Sequence, residues 1–212
     1  MIVLALDTCL GACSVAVLDG DSVLARASEL MMRGHQERLG PMTFDVMKEA
    51  GMGFESLDRI GVTVGPGSFT GLRVGLAFAK GLALALDRPC VGIGSLEALS
   101  AGIVPIGASA AVIDAGRGNV YLQRFDGGGA VGGPDVLPVD LASARLAEAT
   151  GLGEVTLVGP SAALLAAIAP KARAVVLAAP APETVARLAA RAPPVPPMPL
   201  YLRPPDAKPK IP

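Results

Sequence analysis

The sequence predicts an α/β protein built from two lobes that share one plan, and three observations carry that expectation. Strand-like and helix-like segments alternate along the 212 residues. A hairpin pattern at the start returns half a chain later. Between the two copies, Val64 to Leu86 (VGPGSFTGLRVGLAFAKGLALAL) runs from a Gly-rich turn into a helix with almost no polar face. A chain of this length fits one large domain or two lobes, and buries roughly 70% of its unfolded surface.

Taken in order, apolar runs at 2–7, 12–19 and 23–30 predict a three-strand meander, with Asp19-Gly20-Asp21 as a turn. A helix follows near 40–50, with Pro41 in its first turn and Gly51 as its stop. A strand at 59–64, the helix at 70–86, a strand at 90–93 and a short helix from Ser95 complete the first set. The pattern then restarts. Strands at 110–114 and 119–126 form a second hairpin, ended by Gly127-Gly128-Gly129. Helices near 140–149, 161–168 and 183–191 alternate with strands at 154–158 and 173–178. Nine of the 19 prolines fall in the last twenty residues, so Ala192 onward reads as an extended tail.

The restart is an alignment and not only a similarity of types. Leu6 to Gly20 (LDTCLGACSVAVLDG) matches Ile113 to Gly127 (IDAGRGNVYLQRFDG) without a gap. Asp7 falls on Asp114, Gly11 on Gly118, and Asp19-Gly20 on Asp126-Gly127, while Cys13 meets Val120 and Val15 meets Leu122. Duplication explains four identities in one register better than two unrelated hairpins with shared turn residues. The expected units are 1–104 as the first lobe, 105–191 as a reduced second lobe, and 192–212 as a tail returning toward the first.

The helix at 70–86 carries only Arg73 and Lys80 as charges, and small residues recur at Gly71, Gly75, Ala79 and Ala83. A helix apolar nearly all round is covered on both sides, by its own sheet and by a second layer that is internal or supplied by a partner. Its apolar run is shorter than the roughly 20 residues a bilayer needs, and two cations interrupt it. The preceding turn ends Phe69-Thr70-Gly71, so it lacks the Gly-Lys-Ser/Thr of a P-loop, and Thr70 stands where the dinucleotide fingerprint needs Gly.

Composition narrows the function. Apolar residues make up 51% and charged residues 17%, and the net charge of −1 gives no electrostatic footprint for nucleic acid. Five apolar residues lead straight to Asp7 with no basic start, which predicts no signal peptide. Three cysteines without paired spacing fit buried thiols in a reducing cytoplasm. No Gly-x-Ser-x-Gly elbow occurs, which argues against a serine hydrolase.

Two lobes that each open with a β-hairpin whose first strand ends in Asp resemble the actin-like ATPase (ASKHA) fold, in which each lobe is a mixed sheet flanked by helices. More specifically, LALDT with GACSVAV after it, GPGSFTGLRVGLAFAKGLALAL, IDAGRGNVY and the ending PLYLR are similar to the TsaB (YeaZ) family over Met1 to about Arg203. That resemblance implies a non-catalytic relative of the enzyme subunit TsaD, which it binds and activates with the ATPase TsaE. The pathway it implies makes N6-threonylcarbamoyladenosine at position 37 of tRNA. Implied partners are TsaD, TsaE and, in isolation, a second copy; tRNA is contacted only indirectly, and no membrane or cofactor is expected.

The residues test that implication. The catalytic relative carries His-Met-Glu-Gly-His where this chain reads Ser95-Leu96-Glu97-Ala98-Leu99. Ser95 and Leu99 stand in for the two metal-binding imidazoles, and the protein has one histidine, so no metal site is expected. That residue, His35, precedes a helix and reads as a cap or surface residue, or as a partner contact. Asp7 and Asp114 sit where an actin-like ATPase places carboxylates, or else accept N–H bonds within their turns. With Thr8 and Gly11 they are candidates for a weak nucleotide contact, but the first turn lacks a Lys and carries Cys9 and Leu10. No residue is expected to be catalytic. The expected docking surface comprises Leu39, Met42 and Val46 with Gly71, Leu72, Gly75, Leu76, Ala79, Lys80 and Ala83. The competing expectation is an active actin-like-fold phosphotransferase or a glycoprotease-type peptidase.

Overall fold

The computed structural model describes residues 1–105, 107–150, 154–169 and 171–203. The first lobe opens with an antiparallel meander, β1 (Ile2–Asp7), β2 (Ala12–Asp19) and β3 (Ser22–Leu30). Then come α1 (His35–Glu49), β4 (Arg59–Thr63), α2 (Phe69–Leu86), β5 (Cys90–Ile93) and α3 (Ser95–Ala101). The strands order as β3-β2-β1-β4-β5, with β4 parallel to β1 and to β5.

The second lobe comprises β6 (Ala108–Gly116), β7 (Asn119–Asp126), β8 (Gly129–Pro138), α4 (Val139–Thr150), β9 (Val155–Val158), α5 (Ala162–Ala166) and β10 (Ala172–Val175). Its order, β10-β9-β6-β7-β8, is the first lobe's arrangement again, each strand with the counterpart of its own neighbours. The duplication expected from the sequence thus extends through the whole sheet. It also corrects the hairpin alignment by one residue. Asp7 pairs with Ser14, whereas Asp114 pairs with Val120 across an irregularity between Asp114 and Gly116. The second turn is one residue tighter, so Val120 occupies the place of Ser14 and not that of Cys13.

Three further departures follow, two with local causes and one set by contacts across the chain. Gly127 to Gly129 do not end the meander but turn it into β8, an edge strand whose Gly132, Gly133 and Pro134 hide its pattern. Helix α1 begins at His35, after Gly34 in the left-handed region (φ 86°) with no side-chain cap, so the usual start signal is missing. Pro41 therefore lies in the second turn; it is exposed, on the side where an unpaired carbonyl meets water. Finally, α6 (Pro182–Arg191), expected within the second lobe, packs on β1, β2 and β4 of the first.

That placement explains how the first sheet is covered twice. Because side chains alternate along a strand, Leu4 and Leu6 face α1 and α2, while Val3 and Ala5 face α6. Both sets are almost completely buried. Arg59 ties α6 to β4 by donating from Nη1 to the carbonyls of Ala189, Ala190 and Ala192 at 2.8, 3.2 and 2.7 Å. These satisfy acceptors that the end of a helix leaves without partners. A separate core fills the second lobe around Val112, Leu122, Leu146 and Leu157. Beyond α6 the tail follows the first lobe, with Leu200 N–H donating to Val64 O at 2.8 Å, and then reaches the second, where the Arg203 guanidinium donates to the Ala115 carbonyl.

Candidate functional site

The first strand-end carboxylate does not face a cleft. Asp7 is fully buried, and its Oδ1 accepts from Thr63 Oγ1 at 2.5 Å and from the Cys9 amide at 3.1 Å. Thr63 closes β4, the parallel neighbour of β1, so the register places the two polar strand ends side by side. Oδ2 has no partner among the described residues. Burial raises the carboxyl to about 6, against the lowering effect of the two hydrogen bonds and of His35. Thr63, missed by the sequence reading, was signalled by a polar residue ending a second apolar strand, as Asp7 ends the first.

The rest of the first turn is filled by the chain itself. Thr8 Oγ1 donates to Gly71 O at 2.7 Å, and Gly11 N–H donates to Ala178 O at 3.1 Å. A Cβ on Gly71 would lie 2.0 Å from the Thr8 carbonyl oxygen, and one on Gly67 2.2 Å from that of Cys9. The Gly-rich turn therefore lies directly on the first hairpin. Asp7, Thr8 and Gly11 are committed to this packing, which corrects the expectation that they offer a nucleotide contact. Asp114 differs: it is exposed, and its Oδ1 accepts the Gly116 amide at 2.8 Å within its own turn. The structure does not bring the two aspartates into one site.

The expected docking residues are also corrected. Leu39, Met42, Val46, Leu72, Leu76, Ala79 and Ala83 are buried within this chain, at 6% exposure or less, and Gly71 and Gly75 are buried with them. Of the ten, only Lys80 is exposed. The small-residue row does admit a closely approaching backbone, but that backbone is the protein's own: the Thr8 carbonyl lies against Gly71, and the Thr8 hydroxyl would meet a Cβ on Gly75 at 2.6 Å. Periodicity could not choose a face on a helix apolar all round. The solvent side of the two helices instead carries Phe44 on α1 and Phe69 and Leu84 on α2, with Leu84 84% exposed. Arg73 lies over the Phe69 ring at 3.7 Å and its Nε donates to Tyr201 Oη at 3.2 Å. Among the described residues, α2 is the one helix long and apolar enough to cross a membrane, and a third of it is buried against the protein.

His35 departs from expectation too: it is the first residue of α1, it is buried, and its Nε2 has no partner among the described residues. The thiols are poor nucleophiles. Burial pushes Cys9 up to about 12, and Cys13 and Cys90 to about 11. Of the stretch aligned with the relative's metal motif, Ser95 and Leu99 are buried and Glu97 is exposed. Among the described residues no group of three or more His, Cys, Asp or Glu could hold a metal ion.

Known proteins share this architecture. The family model TsaD, described as tRNA N6-adenosine threonylcarbamoyltransferase, matches residues 27–186. The tRNA threonylcarbamoyladenosine biosynthesis protein TsaB of Escherichia coli is 36% identical over 59% of this chain and 55% of its own length. The match spans about half the length of the other curated TsaB relatives as well. The structure of YeaZ from Pseudomonas aeruginosa superposes with a TM-score of 0.78 at 31% identity, over 89% of this chain and 90% of that one. A ROK hexokinase from Thermus thermophilus, at 16% identity and a TM-score of 0.55 over 90% of this chain and 98% of its own, shares the actin-like fold. On the sequence match, the structural superposition and the repeated sheet, the chain belongs to the TsaB (YeaZ) family.

Proposed function

We propose that the protein is a non-catalytic docking subunit for threonylcarbamoylation of adenosine 37 in tRNA. In this reading it binds a TsaD-type enzyme subunit, acts with TsaE in the cytoplasm, and pairs with a second copy when isolated. The observation that carries the reading is the filled first turn. A working actin-like ATPase needs an accessible strand-end carboxylate and a turn open to phosphate, and here Asp7 is sealed against Thr63 while the Gly-rich turn packs directly on the first hairpin turn. The exposed Phe44 and Leu84 support docking, since large apolar side chains in water gain by being covered. A net charge of −1 supports indirect contact with tRNA.

The test is co-purification with the TsaD-type partner, combined with threonylcarbamoyladenosine content of tRNA in cells depleted of the protein and complemented with variants. Phe44→Asp with Leu84→Asp is expected to abolish co-purification and complementation while the purified variant keeps its melting temperature. Asp7→Asn is expected to complement. Loss of complementation by Asp7→Asn with intact folding, or robust ATP hydrolysis by the purified chain, would favour the competing phosphotransferase reading.

A further inference from the structure

The chain passes between the lobes twice in sequence, from α3 into β6 and from β10 into α6. Both passages are packed against their surroundings. Ser100 Oγ on α3 and Ser109 Oγ on β6 share a hydrogen bond at 3.1 Å, and Leu96 and Leu99 of α3 belong to one core with Ala111, Ile113 and Val158. On the way to α6, the Ala178 carbonyl accepts the Gly11 N–H of the first hairpin turn. Passages of this kind, a few residues at the ends of elements, are where rigid bodies turn against each other.

The tail makes a third crossing of a different kind. Residues 193–199 hold five prolines, a composition that is stiff and extended before it is laid down and so loses little entropy on docking. It lies across the ends of β4 and β5: a Cβ on Gly92 would stand 3.1 Å from that of Pro197, and one on Gly65 3.2 Å from the Leu200 carbonyl oxygen. Leu200 N–H donates to Val64 O at 2.8 Å, and the Tyr201 ring lies 5.7 Å from that of Phe69. The Arg203 guanidinium then reaches the second lobe, donating to the Ala115 carbonyl and lying over Gly116, where a Cβ would stand 3.6 Å from Nη1. From Tyr201 to Arg203 the backbone spans at most about 7 Å, so the link has little slack. Its position also gives it leverage. Ser109 at the first passage and Ala115 under Arg203 lie near opposite ends of β6, about 20 Å apart at the rise of a strand. A rotation of about 15°, the size known for rigid bodies turning at an interface, moves a point that far from the axis by about 5 Å. That exceeds the range of a hydrogen bond, so the bond to Ala115 and a turned lobe exclude each other.

We propose that residues 193–203 are a clasp that fixes the angle between the lobes, and that release of Arg203 from Ala115 lets the second lobe turn about the two sequential passages. The test is the distance between the lobes in the full chain, read by pulsed dipolar spectroscopy. Spin labels go on Lys80→Cys and Asp140→Cys, both exposed and one in each lobe, with the wild-type chain as the control for labelling of native thiols. The doubly labelled chain is expected to give one narrow distance. Arg203→Ala removes the donor to the second lobe, and Leu200→Pro removes the donor to Val64. Each is expected to broaden or shift the distance by about 5 Å, with circular dichroism checking that the fold is kept. Should Leu200→Pro not fold, Arg203→Ala carries the comparison. A broad distribution without either substitution, or one unchanged in a folded variant, overturns the proposal.

Discussion

Replacing Asp7 by Asn separates a sealed structural carboxyl from a catalytic one, because the two make opposite demands on ionisation. In the folded protein burial holds this group at about 6, against 3.8 for an ordinary aspartate. Below the unfolded value both states carry the proton, and the favourable contribution is complete. As pH rises from there to about 6, the unfolded chain ionises first while the folded one keeps its proton, so stability falls. Above the folded value both are ionised and the loss is constant. At 1.36 kcal/mol per unit, the shift of somewhat over two units amounts to about 3 kcal/mol. Asn retains the acceptor for Thr63 Oγ1 and the Cys9 amide and cannot ionise. Urea unfolding at a series of pH values, read as wild type minus Asp7→Asn, should therefore fall by about 3 kcal/mol between about pH 4 and pH 7, at up to about 1.4 kcal/mol per unit. Groups common to both proteins cancel in that difference. Parallel curves, or a difference that rises with pH, would show Asp7 ionised in the folded state and would refute the argument.

Other outcomes follow from the same contacts. Thr63→Val removes a donor at 2.5 Å from Asp7; it should cost about 1–3 kcal/mol at neutral pH and move the Asp7 midpoint higher, visible in the same titration. Gly75→Leu should destabilise the chain itself, by about 1–3 kcal/mol or more in denaturant unfolding, since its side chain would drive into Thr8. The paired Phe44→Asp and Leu84→Asp variant should instead leave unfolding unchanged and lose the partner. Because burial raises all three thiols, iodoacetamide at mildly alkaline pH should label Cys9 last, and all three rapidly once urea is added, with mass spectrometry as the readout.

Local pattern carried most of the fold. The meander, the Gly-rich turn, α2 and the repeat are visible because period and turn chemistry are local properties, and the identities Asp7/Asp114 and Gly11/Gly118 survive at one spacing. What escaped depends on contacts across the chain or on missing signals. Strand β8 is masked by glycines, and α1 starts on an uncapped glycine. At the site, the strand-end position of Asp7 was legible, but its burial was not, since that depends on Thr63 and on the turn at Gly67 to Gly71. Likewise the row Gly71, Gly75, Ala79 and Ala83 announced a close approach without naming which backbone approaches. The buried His35 shows the same limit: a polar sequence neighbourhood says little about where a helix start is carried in three dimensions.

Since α6 comes almost last in the sequence yet seals β1, β2 and β4, the opening lobe is not a unit the emerging polypeptide can finish early. During synthesis Val3, Ala5, Ala16 and Leu18 must stay uncovered until residues 182–191 have left the ribosome. A fragment stopping near residue 104 would keep that greasy sheet face bare, and would aggregate or recruit chaperones where the longer chain does not.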